Sequence, residues 1–488
     1  MRWLIGERRG WERWPTLAGM ATQPPGPRAT DILLEAPLAK HADVVPAVED
    51  RSYLLFIGGA LLMAVGGGFV LAILLSLAQA GSLGLEDRVP WLIQAHGWAQ
   101  VQGWAGLFVA GMGLRLLPRF AGRKPIGRAL TVPVFSLLFS GVLLRMLSQS
   151  HRPNAATDGL FLAGELLAAG GVAGFTGLVG WTLLRGRKVA EPWRWFAFAG
   201  ASWWAIWALL LVRQGFAGYD NHAYLAAATD DATSWAILLA GIGNFIWAIQ
   251  SRSVPVFFGR KTPTVRRALG PGIALNVGAL AILASPWLSD FEQRRGLASV
   301  GCLLCGAALL ALPPLAGAVW GEATRLRPRA RPAAKFVLWG NRFAMLAGAL
   351  LIWAGVSDLV FAGERAVAAR DAARHAYGLG LVTLLIVGMA QLVAPFFALR
   401  RLDARGTSLV DRAVWWCLVS AVVIRLATGL AADDWTGISR LHTSALAGAL
   451  GWLGLVLFAT TVIQAIRSEP RLKAQLAATA DAARTGDR

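Results

Sequence analysis

Apolar residues in this chain gather into twelve long runs, separated by short stretches rich in Arg, Pro and Gly. The runs cover residues 53–79, 92–117, 130–148, 158–184, 192–213, 232–258, 270–288, 296–320, 335–361, 375–398, 411–430 and 440–466. Each approaches the ~20 residues that carry a helix across a bilayer. Backbone N–H and C=O groups in hydrocarbon must be paired within the spanning segment, so runs of this length predict helices. The pattern therefore predicts an all-α, polytopic membrane protein with twelve transmembrane helices. Residues 1–52 read as a cytoplasmic arm, largely disordered, with Pro24, Pro25 and Pro27 favouring extended chain. The arm lacks the continuous apolar stretch of a signal peptide. Residues 469–488 read as a polar cytoplasmic tail.

A long internal repeat organises the twelve runs. Leu117-Pro118-Arg119-Phe120-Ala121-Gly122-Arg123-Lys124 closes the second run, and Val254-Pro255-Val256-Phe257-Phe258-Gly259-Arg260-Lys261 closes the sixth. Ala394-Pro395-Phe396-Phe397-Ala398-Leu399-Arg400-Arg401 closes the tenth. Superposing the prolines sets Trp98 on Trp235 and His375, Gly106 on Gly243, and Arg115 on Arg252. Independently, Ser140 to Leu147 matches Ser420 to Ala427, which pairs Arg145 with Arg425. A period this long is a whole multi-helix module. Three four-helix modules follow, at 53–190, 191–331 and 332–468. With four helices each they keep one orientation, which predicts a pseudo-threefold arrangement with the second, sixth and tenth helices innermost.

The net charge of +19 first invites a nucleic-acid partner. Its distribution points to topology instead. With the start of the chain in the cytoplasm, seven of the 47 Lys and Arg residues precede the first run. Another 27 lie in or beside the even-numbered loops and the tail, against nine on the opposite side and four inside helices. This positive-inside bias predicts a multi-pass protein of the bacterial inner membrane with both termini cytoplasmic. The expected partner is the lipid bilayer, with no nucleic acid.

Few residues inside the runs carry chemistry. Cys302 and Cys305 form a Cys-x-x-Cys in the middle of a helix, flanked by Gly301 and Gly306 and without His or Asp nearby. They read as small residues for helix packing rather than as a metal or redox motif. Arg145 and Arg425 lie inside apolar runs near the outer end. An arginine there either snorkels to the interface or faces inward to an anion. Glu165 is the clear acid within the runs and Asp358 lies near a run end, which leaves room for an anionic ligand such as a haem propionate. Glu165, Asn244, Gln250 and Gln391 offer an alternative, a polar path for a solute. Five of the six histidines fall at or near the outer side: His96, His151, His222, His375 and His442. His96, His375 and His442 each begin a helix. His96 and His375 open repeat-related helices, and imidazoles from two helices are a standard means of holding haem iron in a bundle. They are two residues out of step, however, a rotation of about 200° on a helix.

The stretch His96-Gly97-Trp98-Ala99, then Gly103, then Pro118 through Gly122-Arg123, resembles the signature helix of the NnrS family. There a His-x-His-Glu motif opens the second helix and a Pro and Gly-Arg close it. The Arg145 and Arg425 segments and His375-Ala376-Tyr377 resemble the same family. The resemblance implies a twelve-helix membrane protein associated with haem and copper and with bacterial responses to nitric oxide. More distantly, it implies kinship with the catalytic subunit of haem–copper oxidases. This sequence departs from the family pattern, with Trp98 at the second His and Ala99 at the Glu.

A copper centre of the oxidase type needs a cluster of imidazoles around an open position. The chain has no His-His pair, so copper and a complete oxidase or nitric oxide reductase are not expected. The resemblance implies one haem b ligated by His96 and His375, with Arg145 and Arg425 beside its propionates and His442 as substitute ligand. A redox protein is then an expected partner, in nitric oxide or respiratory metabolism. Two other readings stand beside it: a small-solute transporter, and a cofactor-free scaffold or assembly factor.

Overall fold

Closing its own backbone hydrogen bonds, each apolar run becomes one long helix. The computed structural model describes residues 51–326, 328–361, 364–394, 397, 409–431 and 437–486. Among these, twelve helices follow one another: α1 Tyr53–Gln79, α2 89–120, α3 Arg128–Ser150, α4 Ala155–Arg185, α5 Pro192–Tyr219 and α6 Ala227–Phe257. Then come α7 Val265–Ala284, α8 Phe291–Leu315, α9 Arg331–Phe361, α10 364–393, α11 Leu409–Leu430 and α12, whose apolar span is Gly437–Arg471. Eleven of them are long and apolar enough to span a membrane, and the chain is a multi-pass integral membrane protein. The exception is α2, which carries Gln94, His96, Gln100, Gln102 and Arg115.

Burial explains how α2 tolerates that polarity. Every residue from 101 to 118 is buried, so this stretch, with Gln102 and Arg115, meets protein on all sides rather than lipid. The most apolar windows of α6 and α10 are 89% and 78% buried, against 33–50% for the other nine spans. The second, sixth and tenth helices thus form the interior, as the repeat predicts. Each widens into a π-helical segment, at Ala99–Gly106, Ile237–Ile242 and Ala376–Thr383. In sequence these segments end 12, 13 and 12 residues before Pro118, Pro255 and Pro395. Such π turns are uncommon and concentrate at functional sites. The segment of α2 touches those of α6 and α10, and Trp104 Nε1 donates to Thr383 Oγ1 at 3.1 Å. Gly243 admits the Tyr377 hydroxyl; a Cβ there would lie 2.6 Å from it.

Two of the three closing sentences fold alike. Gly122 and Gly259 take φ of +66° and +65°, and the next residues, Arg123 and Arg260, donate to Pro118 O and Pro255 O at 2.7 Å. This is a glycine-terminated helix cap that satisfies otherwise unpaired carbonyls. Most of the third sentence, and the arm at residues 1–50, lie outside the described residues.

Small residues close the helix pairs. A Cβ on Gly301 would sit 2.7 Å from Gly278 O, and one on Gly306 would sit 2.6 Å from Gly348 O. Cys302 and Cys305 are buried at the same contacts, so the Cys-x-x-Cys packs helices. Asn244 Nδ2 donates to Asn276 Oδ1 at 2.8 Å, and Asn341 Nδ2 donates to Gln250 Oε1 at 2.8 Å. These amides bond neighbouring helices pairwise.

Candidate functional site

Several helices start earlier than their apolar runs. α2 begins at residue 89, α6 at 227 and α10 at 364, so His96 and His375 do not open their helices but lie inside them. Each extra turn brings acidic or polar side chains to the histidine-bearing end of the bundle. There Gln149 Nε2 donates to Gln94 Oε1 at 3.0 Å and Gln94 Nε2 donates to Leu225 O at 2.7 Å, which fixes α2 against α3 and the loop before α6.

A cavity of about 1170 Å³ opens between α1, α2, α10, α11 and α12, and His96, His375 and Arg425 all line it. His96 Nδ1 lies 2.8 Å from Gly68 O, in the π-helical segment of α1. His375 Nδ1 lies 2.9 Å from Asp371 O, one turn earlier on α10. A carbonyl oxygen only accepts, so each Nδ1 carries the ring proton. Neither Nε2 has a hydrogen-bond partner among the described residues. Asp371 also faces the His375 ring, 3.5 Å from Nδ1, and accepts from Arg425 Nη2 at 2.7 Å. Arg440 lines the same cavity without a carboxylate partner among the described residues, and its buried Nε is unbonded. Apolar side chains such as Phe69, Val101, Trp104 and Val382 complete the wall.

A second polar cluster lies on the other side of α2. Arg145 and Glu165 are both 1% exposed and joined by a 2.5 Å ion pair. Arg145 Nη2 lies 3.3 Å from Asp230 Oδ1, which also accepts from Trp98 Nε1 at 2.7 Å. The guanidinium stacks 4.5 Å from the Trp98 ring centre. Next to it Arg374 pairs with Asp231. Asp230, Asp231 and Arg374 line a second cavity of about 970 Å³, together with Asp358 and Arg370. Arg374 and Gly97 line both cavities.

This geometry sorts the predicted residues. His96, His375 and Arg425 share one cavity. Arg145 does not; both its anions are protein carboxylates, and it neither snorkels nor awaits a propionate. Arg425 likewise has a protein partner in Asp371. His442 turns its Nε2 to Ser82 Oγ at 3.1 Å and is not part of the cavity wall. Asp230, Asp231 and Asp371 escape a reading by apolar runs because they sit just before the runs at 232 and 375. The Asp371-x-x-x-His375 spacing, one helical turn, was the available signal.

The two-residue stagger of the histidines lets both line one cavity. Trp98, at the position matching His375, faces α6 through Asp230. His96, about 200° away on the same helix, faces the cavity shared with α10. Thus α10 presents to that cavity the position that α2 turns towards α6. No protein-family model matches the chain, and no curated protein shows significant similarity to it.

Proposed function

We propose that this membrane protein holds one b-type haem in the cavity between α2 and α10, with His96 and His375 as iron ligands. The observation that carries the reading is the state of the two imidazoles. Both line one cavity, each gives its Nδ1 proton to a backbone carbonyl, and neither Nε2 has a hydrogen-bond partner among the described residues. Metal-bound histidines characteristically donate their other N–H in this way, which orients the ring and raises its basicity. A haem in this place would supply one-electron transfer or gas binding.

The chain's own residues suit the task. Asp371 orients the His375 ring, and Arg425 offsets the charge of Asp371. Arg440 provides a cation for an acidic substituent, and Phe69, Val101, Trp104 and Val382 offer apolar surface to the ring. With the NnrS resemblance, this supports a role in nitric oxide or respiratory metabolism through electron transfer, gas binding or protection. The inner membrane, with both termini in the cytoplasm and the histidines on the outer side, is the matching location. Matching π segments, matching glycine caps and the burial of α2, α6 and α10 support three modules about a pseudo-threefold axis.

The test is the visible spectrum of detergent-purified protein, oxidised and reduced. A b-type Soret band that disappears in His375→Ala and in His96→Ala is the expected result. A folded preparation without haem from haem-replete cells overturns the reading. Solute transport is the second reading, favoured by the two charged cavities that meet at Arg374 and Gly97.

A further inference from the structure

We infer that Glu165, Arg145 and Asp230 form a proton-binding site, in which the two carboxyls hold one proton between them. No haem is needed for it. Inside the bundle, two carboxylates meet a single guanidinium, Arg145. Of the charges around it, Asp231 pairs with Arg374, Asp358 with Arg370 and Glu292 with Arg295, while Arg294, on the wall of the same cavity, donates to Ser289 O rather than to either carboxyl. The neutral Trp98 indole also donates to Asp230. With both carboxyls ionised, the site would carry one uncompensated negative charge on side chains only 1% and 12% exposed. Buried groups avoid that cost by taking up a proton.

Hydrogen bonding indicates where the proton resides. Asp230 Oδ1 accepts from both Trp98 and Arg145, as befits an ionised carboxylate. Among the described residues Glu165 Oε1 accepts from Arg145 alone, and Glu165 Oε2 is buried without a partner. A charged oxygen left bare in this way is more costly than a neutral hydroxyl in the same place. The proton therefore belongs chiefly on Glu165. Asp230 lines the second cavity, which connects the pair to a space large enough for water. Uptake is a simple transfer: hydronium in that cavity gives its proton to a carboxylate oxygen and becomes water. The two carboxyls share one cation, so they titrate as a pair.

The experiment is infrared spectroscopy of the full-length protein in lipid bilayers at neutral pH. The wild type should show the carbonyl stretch of a protonated carboxylic acid, shifted on exchange into deuterium oxide. Glu165→Gln and Asp230→Asn should each abolish that band. Either change leaves one carboxylate for one guanidinium and removes the need for a proton. Tryptophan fluorescence melting checks that both near-isosteric variants fold. Absence of the band in the wild type overturns the inference whatever the variants do. A band that survives Asp230→Asn overturns the shared proton and makes Glu165 an isolated buried acid.

Discussion

Trp98 Nε1 donates to Asp230 Oδ1 at 2.7 Å, and this bond turns the indole away from the cavity lined by His96, two positions earlier on α2. The side chain where the NnrS pattern has its second histidine thus serves the Arg145 cluster. It gives Asp230 a hydrogen bond and Arg145 an aromatic face. Replacing Trp98 by Phe keeps an aromatic ring but removes the N–H from a buried carboxylate. We expect a loss of about 1–3 kcal/mol, read from the thermal midpoint, with the first cavity and any haem spectrum unchanged.

The two intramembrane arginines should differ sharply in their contribution to stability. Arg145→Met leaves Glu165 and Asp230 buried without a cation, which costs about 3–5 kcal/mol. Arg425→Met breaks a pair whose side chains are 23% and 39% exposed to the first cavity, and should cost less than Arg145→Met. Melting curves of the two variants in one detergent test the order. Equal destabilisation would remove the distinction.

Glycine substitutions should separate packing positions from open ones. Gly306→Leu drives a side chain into the α9 backbone at Gly348; overpacking of this kind costs about 1–3 kcal/mol. At Gly177 an added Cβ would meet no atom within 4 Å, so Gly177→Ala should leave the melting temperature unchanged or raise it. A destabilised Gly177→Ala would contradict the observed packing of α4.

His442 provides a control for the haem reading. Its ring bonds Ser82 rather than facing the cavity, so His442→Ala should leave the absorption spectrum of the loaded protein unchanged. A lost or shifted Soret band would assign it a ligand role that the cavity wall does not support.

Topology can be read directly. Reporter fusions after Lys124 and Lys261 should behave as cytoplasmic and a fusion after Asn221 as periplasmic, in keeping with the Lys and Arg bias. A periplasmic result at Lys124 or Lys261 would reverse the orientation.

The twelve helices were legible in the chain because membrane helices are local objects. Each run must satisfy its own backbone, so length and hydropathy mark it without reference to partners. The repeated proline endings likewise marked α2, α6 and α10, which are the most buried helices of the bundle. Side-chain partnerships were not legible in this way. Arg145 meets Asp230 from 85 positions away, and their pairing depends on the rotational phase of α2, α3 and α6 after packing. Asp230, Asp231 and Asp371 lay beyond the apolar runs, yet their ion pairs let α6 and α10 begin earlier. The two histidines show the same division. Sequence placed them out of step by two residues; only the packed bundle, where α2 and α10 turn different faces to one cavity, let both line it.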